Sequence, residues 1–563
     1  MKKFTAILLA VVMVFALGAS AFAATNSLET DYAIGNGLGV SVDLDIEGMY
    51  FDYPDILNTA TNGYYPFSFS LIASDRSKVA SVTVSNGGSF HWAYAQNADG
   101  SYVTDENGNY VESSTTNYGV VVLPTSSAST VTVVGTDNIG TATFNCAKPN
   151  GGTTAPGTEL YAYLPAPAQF VNEGVTTGGW GDAYDSNGAV KATSSTGVSL
   201  GFFGGYAVYK FENPIADDPT HPYGADFIVY GNAFWGNSEA GCIQVSKDGT
   251  TWYDIAGSMY YTKSTKGATI TYTNPNATED AGITIPASNK GTLADVPYTL
   301  TVNGTTTTGT VTKNTFHNHS WFPLNANYFV DYVTTETTRK QMAKVDEFSF
   351  VSRTLNSGNI TNTLTFTGTL LTNYPGTNKT AEIGFGYCDV HPNKTLGGTI
   401  AYNPYQTFTS SSDYDTKVAG TSGGDPIDIA WAVKSNGTPA NLDSIRYVRI
   451  YTGMAQMNGI FGEISTEVCG VAACTGSTTE TAATPTISVD GSTVTTTNGG
   501  ILPLSKKSGD YTVNVTGTGY VYINGVATTS ATITPTRTGT KVQIIVQNGE
   551  AAPYVTYLNL QKK

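Results

Sequence analysis

The feature that most limits this chain is a two-residue rhythm. "GVSVDLDI", "YPFSFSLIA", "KVASVTVS" and "STVTVVG" alternate apolar and polar residues, and turn residues bound each run. Alternation at period two places one face of a strand against a core and the other in water. Thr, Val and Tyr favour strands, and the abundant Gly, Asn and Asp favour turns. Few stretches favour helix. An all-β chain is therefore expected, and its 563 residues exceed what one core supports.

The start, "MKKFTAILLAVVMVFALGASAFAATNS", sets two lysines before an apolar run ending in small residues. It reads as a secretory signal peptide over 1–24, cut near Ala23 or Ala24. The run is too short for a membrane anchor, and no later run has the length of a spanning helix. No cysteine follows it as a lipid anchor, and no sorting signal is legible in "YLNLQKK". An exported protein, released or held at the cell surface by non-covalent contacts, is expected. Charged residues are only 13% and the formal net charge is −16. That balance argues against nucleic acid or an anionic membrane as partner, since both call for a basic face.

Three all-β domains are expected: a β-sandwich at 25–150, a larger region at 158–475, and a small immunoglobulin-like sandwich at 480–563. "AKPNGGTTAPGT" and "ACTGSTTETAATPT" read as linkers. Within the large region, strand signals are strong at both ends. The looser part at about 260–425 reads as further strands and long loops inserted into one sandwich.

Of the five cysteines, Cys242 sits in an apolar strand and reads as a buried thiol. Cys469 and Cys474 in "CGVAAC" are near enough in sequence to close a small loop. The odd count leaves at least one of the five, which include Cys146 and Cys388, unpaired or intermolecular. The stretch "EAGCIQVSKDGTTWYDIAG" reads as a hairpin with a two-residue loop at Asp248-Gly249. That loop would set Val245 opposite Trp252 on one face and Gln244 with Tyr253 on the other, with Trp252 filling a core.

"VSLGFFGGYAVYKFENPI", "GADFIVYGNAF", the Lys-Asp-Gly-Thr-Thr-Trp turn, "GGDPIDIAWAV", "RYVRI" and "GEISTEVCG" together resemble a discoidin-like, galactose-binding-type jelly roll. The nearest likeness is to largely uncharacterised bacterial cell-surface proteins carrying that module, and it spans most of 160–475. It implies a two-sheet sandwich whose loops bind ligand at one end. It also implies a structural calcium ion, for which the closing-strand Glu463 is the matching ligand. Asp182 and Asp185 in "GGWGDAYDSNG" would supply more oxygens, although their spacing departs from the usual Asp-Gly pattern. "IADDPTHPYGAD", with Asp217, Asp218 and Asp226, reads as a solvated acidic loop.

His317 and His319 in "FHNHSWFP", with Cys388, Asp389 and His391 in "GYCDVHPN", have transition-metal ligand chemistry, but nothing in the sequence joins the two segments. No G-x-S-x-G elbow or HExxH is present, no carboxylate pair stands out, and a non-enzyme is expected. Trp180, Tyr184, Tyr206, Phe234, Trp235, Tyr260, Tyr261, Trp321 and Trp431 fall in or near loops. Their flat faces, with neighbouring Asn and Asp, suit sugar rings. Trp180, Tyr184, Trp235 and Asn237 are the preferred contacts. Non-catalytic recognition of a glycan or another extracellular ligand leads. A surface-layer, fibre or adhesion subunit is the alternative, and capture of a small nutrient such as a corrinoid is a third.

Overall fold

The computed structural model describes residues 32–35, 38–44, 67–97, 102–123, 129–146, 158–172, 197–233, 235, 238–275, 277, 295–313, 320–323, 348–357, 360–372, 383–396, 399–457 and 462–563. The architecture is predominantly β, built from several antiparallel sheets. Two compact units divide at Gly152/Thr153. The expected signal peptide at 1–24, Trp180, Asp182, Tyr184, Asp185, Phe234, Asn237, His317 and His319 lie outside the described residues.

The first unit contains a five-stranded and a three-stranded sheet. Leu71 and Val121 from one sheet pack with Val131, Val133 and Ala142 from the other. The alternation in "STVTVVG" drives this: Val131 and Val133 are buried while Thr132 and Val134 are only half-buried.

The second unit is built on a six-stranded sheet. Its order is Ala432–Val433, Tyr253–Ile255, Gly241–Ser246, Ser444–Thr452, Tyr206–Ala216 and Thr158–Leu164. Both faces are covered. Ala207, Tyr209, Ile243, Val245, Val448 and Ile450 pack with Phe227, Val229 and Ile427 of a three-stranded sheet. Tyr206, Val208, Cys242, Tyr447 and Tyr451 pack with Ile270, Tyr272, Leu364 and Phe366 of a five-stranded sheet. Burial on both sides explains why "SIRYVRIYT" is buried throughout beyond its first residue.

That second covering sheet is drawn from within 260–425. Strands Ser264–Thr273, Val296–Val302, Thr305–Val311, Val351–Leu355 and Thr361–Leu371 form a separate layer. Its inward residues fill the core. Its outward face is ranked threonine: Thr308, Thr299, Thr271 and Thr365 lie across four neighbouring strands, and Ser352 continues the rank. Hydroxyl contacts tie the ranks, as between Thr271 and Thr365 at 2.8 Å. The sequence looked loose there because threonine sits on exposed strand faces as readily as in turns.

The hairpin register also differs from expectation. Val245 pairs with Tyr253 and Gln244 with Asp254. Asp248 Oδ1 accepts from the amides of Thr250 at 2.8 Å and Thr251 at 2.7 Å, which holds a wider loop than two residues. The one-residue slip moves Trp252 away from Val245. Val245 belongs to one core, while Trp252 packs half-buried on the other with Phe348 and Phe350.

Cys469 and Cys474 flank the extended strand Gly470–Ala473 and both are free, buried thiols. Extended backbone carries their Cα atoms about 16 Å apart, far beyond disulfide reach. Cys242 and Cys388 are also free and buried.

The C-terminal 80 or so residues form a sandwich of a four-stranded and a five-stranded sheet. Val513, Val515, Ile544 and Leu558 fill it. The outer face of its five-stranded sheet is not free: Tyr522, Ile545, Val555 and Tyr557 enter the core of the larger module.

Candidate functional site

One end of the central sheet gathers chemistry from three segments. The connection after strand Phe227–Tyr230 carries Asn232, Trp235, Ser238 and Glu239. It runs beside Cys388–His391, since Glu239 N donates to Asp389 O at 3.0 Å and Ser238 Oγ to Val390 O at 2.9 Å. The closing segment supplies Glu463 and Glu467.

Carboxyl groups of Glu239, Asp389 and Glu467 come within 4.8 Å of one another. Asp389 is fully buried, with φ at +63°. Its oxygens accept from Asn232 N at 2.7 Å and Glu467 N at 3.1 Å. These amides explain an Asp in the left-handed region, where a short polar side chain is tolerated. Burial raises Asp389 to about 7 despite the amides. Burial, with Asp389 beside it, raises Glu239 to about 8. Burial, then Glu239 and Asp389, hold Glu467 well above the carboxylate range, and its carboxyl is hydrogen-bonded to that of Glu239. Carboxyls this close either share protons or enclose a cation.

Glu463 is 3% exposed, bridges Met457 through the backbone, and accepts from Gln169 N at 3.1 Å through Oε1. Its charge is felt at Glu239, so it borders the same cluster.

His391, two residues on from Asp389, enters an aromatic nest with Tyr402, Phe408 and Tyr414. Trp235 is half-buried, with Phe408 at 6.2 Å and Tyr414 at 6.1 Å between ring centroids. Tyr414 is on the short helix Ser411–Lys417. His391 stacks on Tyr414 at 5.6 Å and 8°, and its Nδ1 is 2.8 Å from Asp425 Oδ1. Asp425 Oδ2 in turn accepts from Val390 N at 3.0 Å. Cys388 is fully buried in the core that Phe227 and Val229 share with the central sheet, whereas His391 packs among Tyr402, Phe408 and Tyr414.

Several expected ligand-facing aromatics are interior. Tyr206, Trp321 and Trp431 are fully buried and Tyr260 nearly so. A glycine-rich chain needs large rings to fill its layers, and these do so. Tyr261 is half-buried and donates to Gly437 O at 3.2 Å. The "IADDPTHPYGAD" loop is not simply solvated either: Asp226 is buried, and Asp217 and Asp226 meet Asp428.

Sequence reasoning missed Glu239, Asp389 and Glu467 as a group. Glu467 stands in the quoted "GEISTEVCG" and Asp389 in "GYCDVHPN", so each was visible singly. Their meeting depends on the Gly241–Cys388 bridge, which nothing local signals.

A pH dependence follows. Each of the three has a folded-state pKa above its unfolded value. The stability they contribute is therefore complete below about pH 4 and is lost as pH rises through 7 to 8. The melting temperature is expected to fall over that range. Glu467→Gln, which keeps a hydrogen-bond donor without the titration, should flatten the fall. Calorimetric scans at a series of pH values check this, and a melting temperature that rises toward pH 8 would refute it.

No protein-family model matches the chain, and no curated protein is similar to it at a significant level.

Proposed function

We propose that this is an exported, cell-surface binding protein that recognises a glycan or another extracellular ligand without catalysis. Trp235 carries the reading: its ring is half-buried beside Phe408 and Tyr414, in the connection between strands Phe227–Tyr230 and Gly241–Ser246. A fixed aromatic face beside polar groups suits stacking on the apolar side of a sugar ring. Trp180, Tyr184 and Asn237 would complete the contact, and the discoidin-like likeness of 158–475 belongs to the same proposal. So does calcium: Glu463, with Asp182 and Asp185, would hold it. A buried carboxylate at Glu463 has the hard-oxygen chemistry for the ion.

A glycan array probed with the mature protein, with Trp235→Ala, and with chelator present tests both parts. Binding that drops at least about tenfold in Trp235→Ala is expected, as for a stacked aromatic anchor. Loss with chelator would support the ion. Absence of binding to every glycan would sink the glycan version.

The second reading, a structural surface subunit, is favoured by the uncharged threonine face of the five-stranded sheet. Sedimentation across a concentration series separates the two, since assembly with rising concentration favours this one.

A further inference from the structure

Asp217, Asp226 and Asp428 present carboxylate oxygens within 4.8 Å of one another at a second place, away from Trp235. Asp226 and Asp428 are almost fully buried. Asp226 Oδ1 accepts from Asp218 N at 3.1 Å and lies 3.0 Å from His221 Nδ1; Oδ2 accepts from Ile429 N at 2.9 Å. Asp428 Oδ1 accepts from Ala430 N at 2.7 Å.

These hydrogen bonds shape the turn His221–Gly224, and the turn seats the C-terminal sandwich. Tyr223 N donates to Glu550 O at 2.7 Å, and Thr478 N donates to Thr220 O at 2.7 Å. Gly224 has φ at +72°, and a Cβ there would come within 2.6 Å of Pro553 Cδ and 2.8 Å of Asp428 Oδ2. Tyr223 holds φ at +61°, a costly conformation for a bulky residue unless its surroundings impose it. One glycine therefore touches both the carboxylate cluster and the docked domain.

We propose that the Asp217–Asp226–Asp428 cluster with His221 is a proton-operated latch, closed at acid pH and released as pH rises through neutrality, that fastens the C-terminal sandwich to the central module. At low pH the cluster is near neutral: two carboxyls are protonated and Asp226 pairs with imidazolium. Raising the pH removes those protons and the imidazolium proton, which leaves three adjacent negative charges. Burial, then Asp226 and Asp218, raise Asp217 to about 7. Burial also raises Asp226 and Asp428, and the hydrogen bond to Asp226 raises His221.

All four shifts have one sign. Each group binds its proton more tightly when folded, so the contribution is present at low pH and lost as pH rises through neutrality. The groups facing the cluster do not oppose this. Asp218 is 3.9 Å from His221 Nε2, and Cys474 adjoins Asp226. From the docked side Glu480 and Glu550 face Tyr223 and Tyr557 faces Asp428, and Tyr405 of the central module faces Asp428 as well. The acids among them add repulsion once the latch ionises.

Hydrogen exchange on the full mature chain tests the latch, read as protection factors so that the intrinsic pH dependence cancels. Protection at the amides of Tyr223 and Thr478 should fall about tenfold or more between about pH 5.5 and about pH 8.5, as a shift of one pKa unit or more implies. Strand Tyr511–Thr516, inside the C-terminal sandwich, should keep its protection. Asp217→Asn, at a half-buried site that tolerates the change, should reduce the fall; Asp428→Asn should do so more strongly if it folds. Equal protection at both pH values would overturn the proposal, as would an unchanged fall in Asp217→Asn. Restoration at high pH by millimolar calcium would also overturn it, because the cluster would then answer to a cation.

Discussion

Tyr522→Ala is expected to destabilise the second unit by about 3–5 kcal/mol, the range for removing a buried aromatic from a core. Tyr522 belongs by sequence to the C-terminal sandwich, yet its ring lies 5.2 Å from Phe385 and 5.7 Å from Tyr405 in the larger module. Its hydroxyl donates to Tyr405 O at 2.9 Å. Tyr405 in turn accepts from Trp431 Nε1 at 2.8 Å, so the loss reaches a fully buried tryptophan. Truncation leaves a void, an unmet carbonyl and a loosened Trp431 together. Tyr520, two residues earlier and 37% exposed, is the control, and its alanine variant should change stability by no more than about 0.5 kcal/mol. Urea unfolding followed by tryptophan emission measures both. Equal, small effects at the two positions would show that the C-terminal sandwich is only tethered.

The same strands show where the sequence stopped being legible. "KVQIIVQ" invites reading Gln543 and Gln547 as facing water, and that makes the C-terminal sandwich a free-standing module. Both glutamines are fully buried. Gln543 Nε2 donates to Tyr557 Oη at 3.1 Å, and Asn403 Nδ2 from the larger module donates to Gln547 Oε1 at 2.9 Å. A polar residue paired across a docked face has the same local pattern as a solvated one. Alternation therefore revealed the strands and one inward face of each sheet. It was silent wherever a second layer covers the other face, because that layer comes from elsewhere in the chain. The candidate site divides in the same way. Glu463 and Trp235 stand out as types in recognisable places. The convergence of Glu239, Asp389 and Glu467 is set by strand pairing across more than 140 residues.

Arg449→Ala is expected to cost about 3–5 kcal/mol, the range for breaking a buried charged network from one side. The charge in "RYVRIY" would ordinarily be placed outward, yet Arg449 is fully buried between the central and the five-stranded sheets. Its guanidinium lies 3.6 Å from the Phe350 ring centre and 4.1 Å from that of Tyr451. Nη1 donates to Gln244 Oε1 at 2.7 Å, and Nη2 to Thr367 O at 3.3 Å on the facing sheet. Gln244 passes the contact on to Asp254 Oδ1 at 2.8 Å, while Tyr260 and Thr369 donate to Oδ2. Burial lowers the Arg449 pKa to about 10, still high enough to keep it charged at neutral pH. Arg449→Met restores the ring contacts without the hydrogen bonds, so it should recover about half of the loss. Should Met be as damaging as Ala, the hydrogen bonds to Gln244 and Thr367 hold the layers rather than the ring contacts. Because Arg449 spans the two layers, hydrogen exchange in either variant should rise first in strand Ser264–Thr273. Strand Tyr511–Thr516 should stay protected, since its core lies wholly within the C-terminal sandwich. A uniform loss across both strands would mean that the five-stranded sheet does not open on its own.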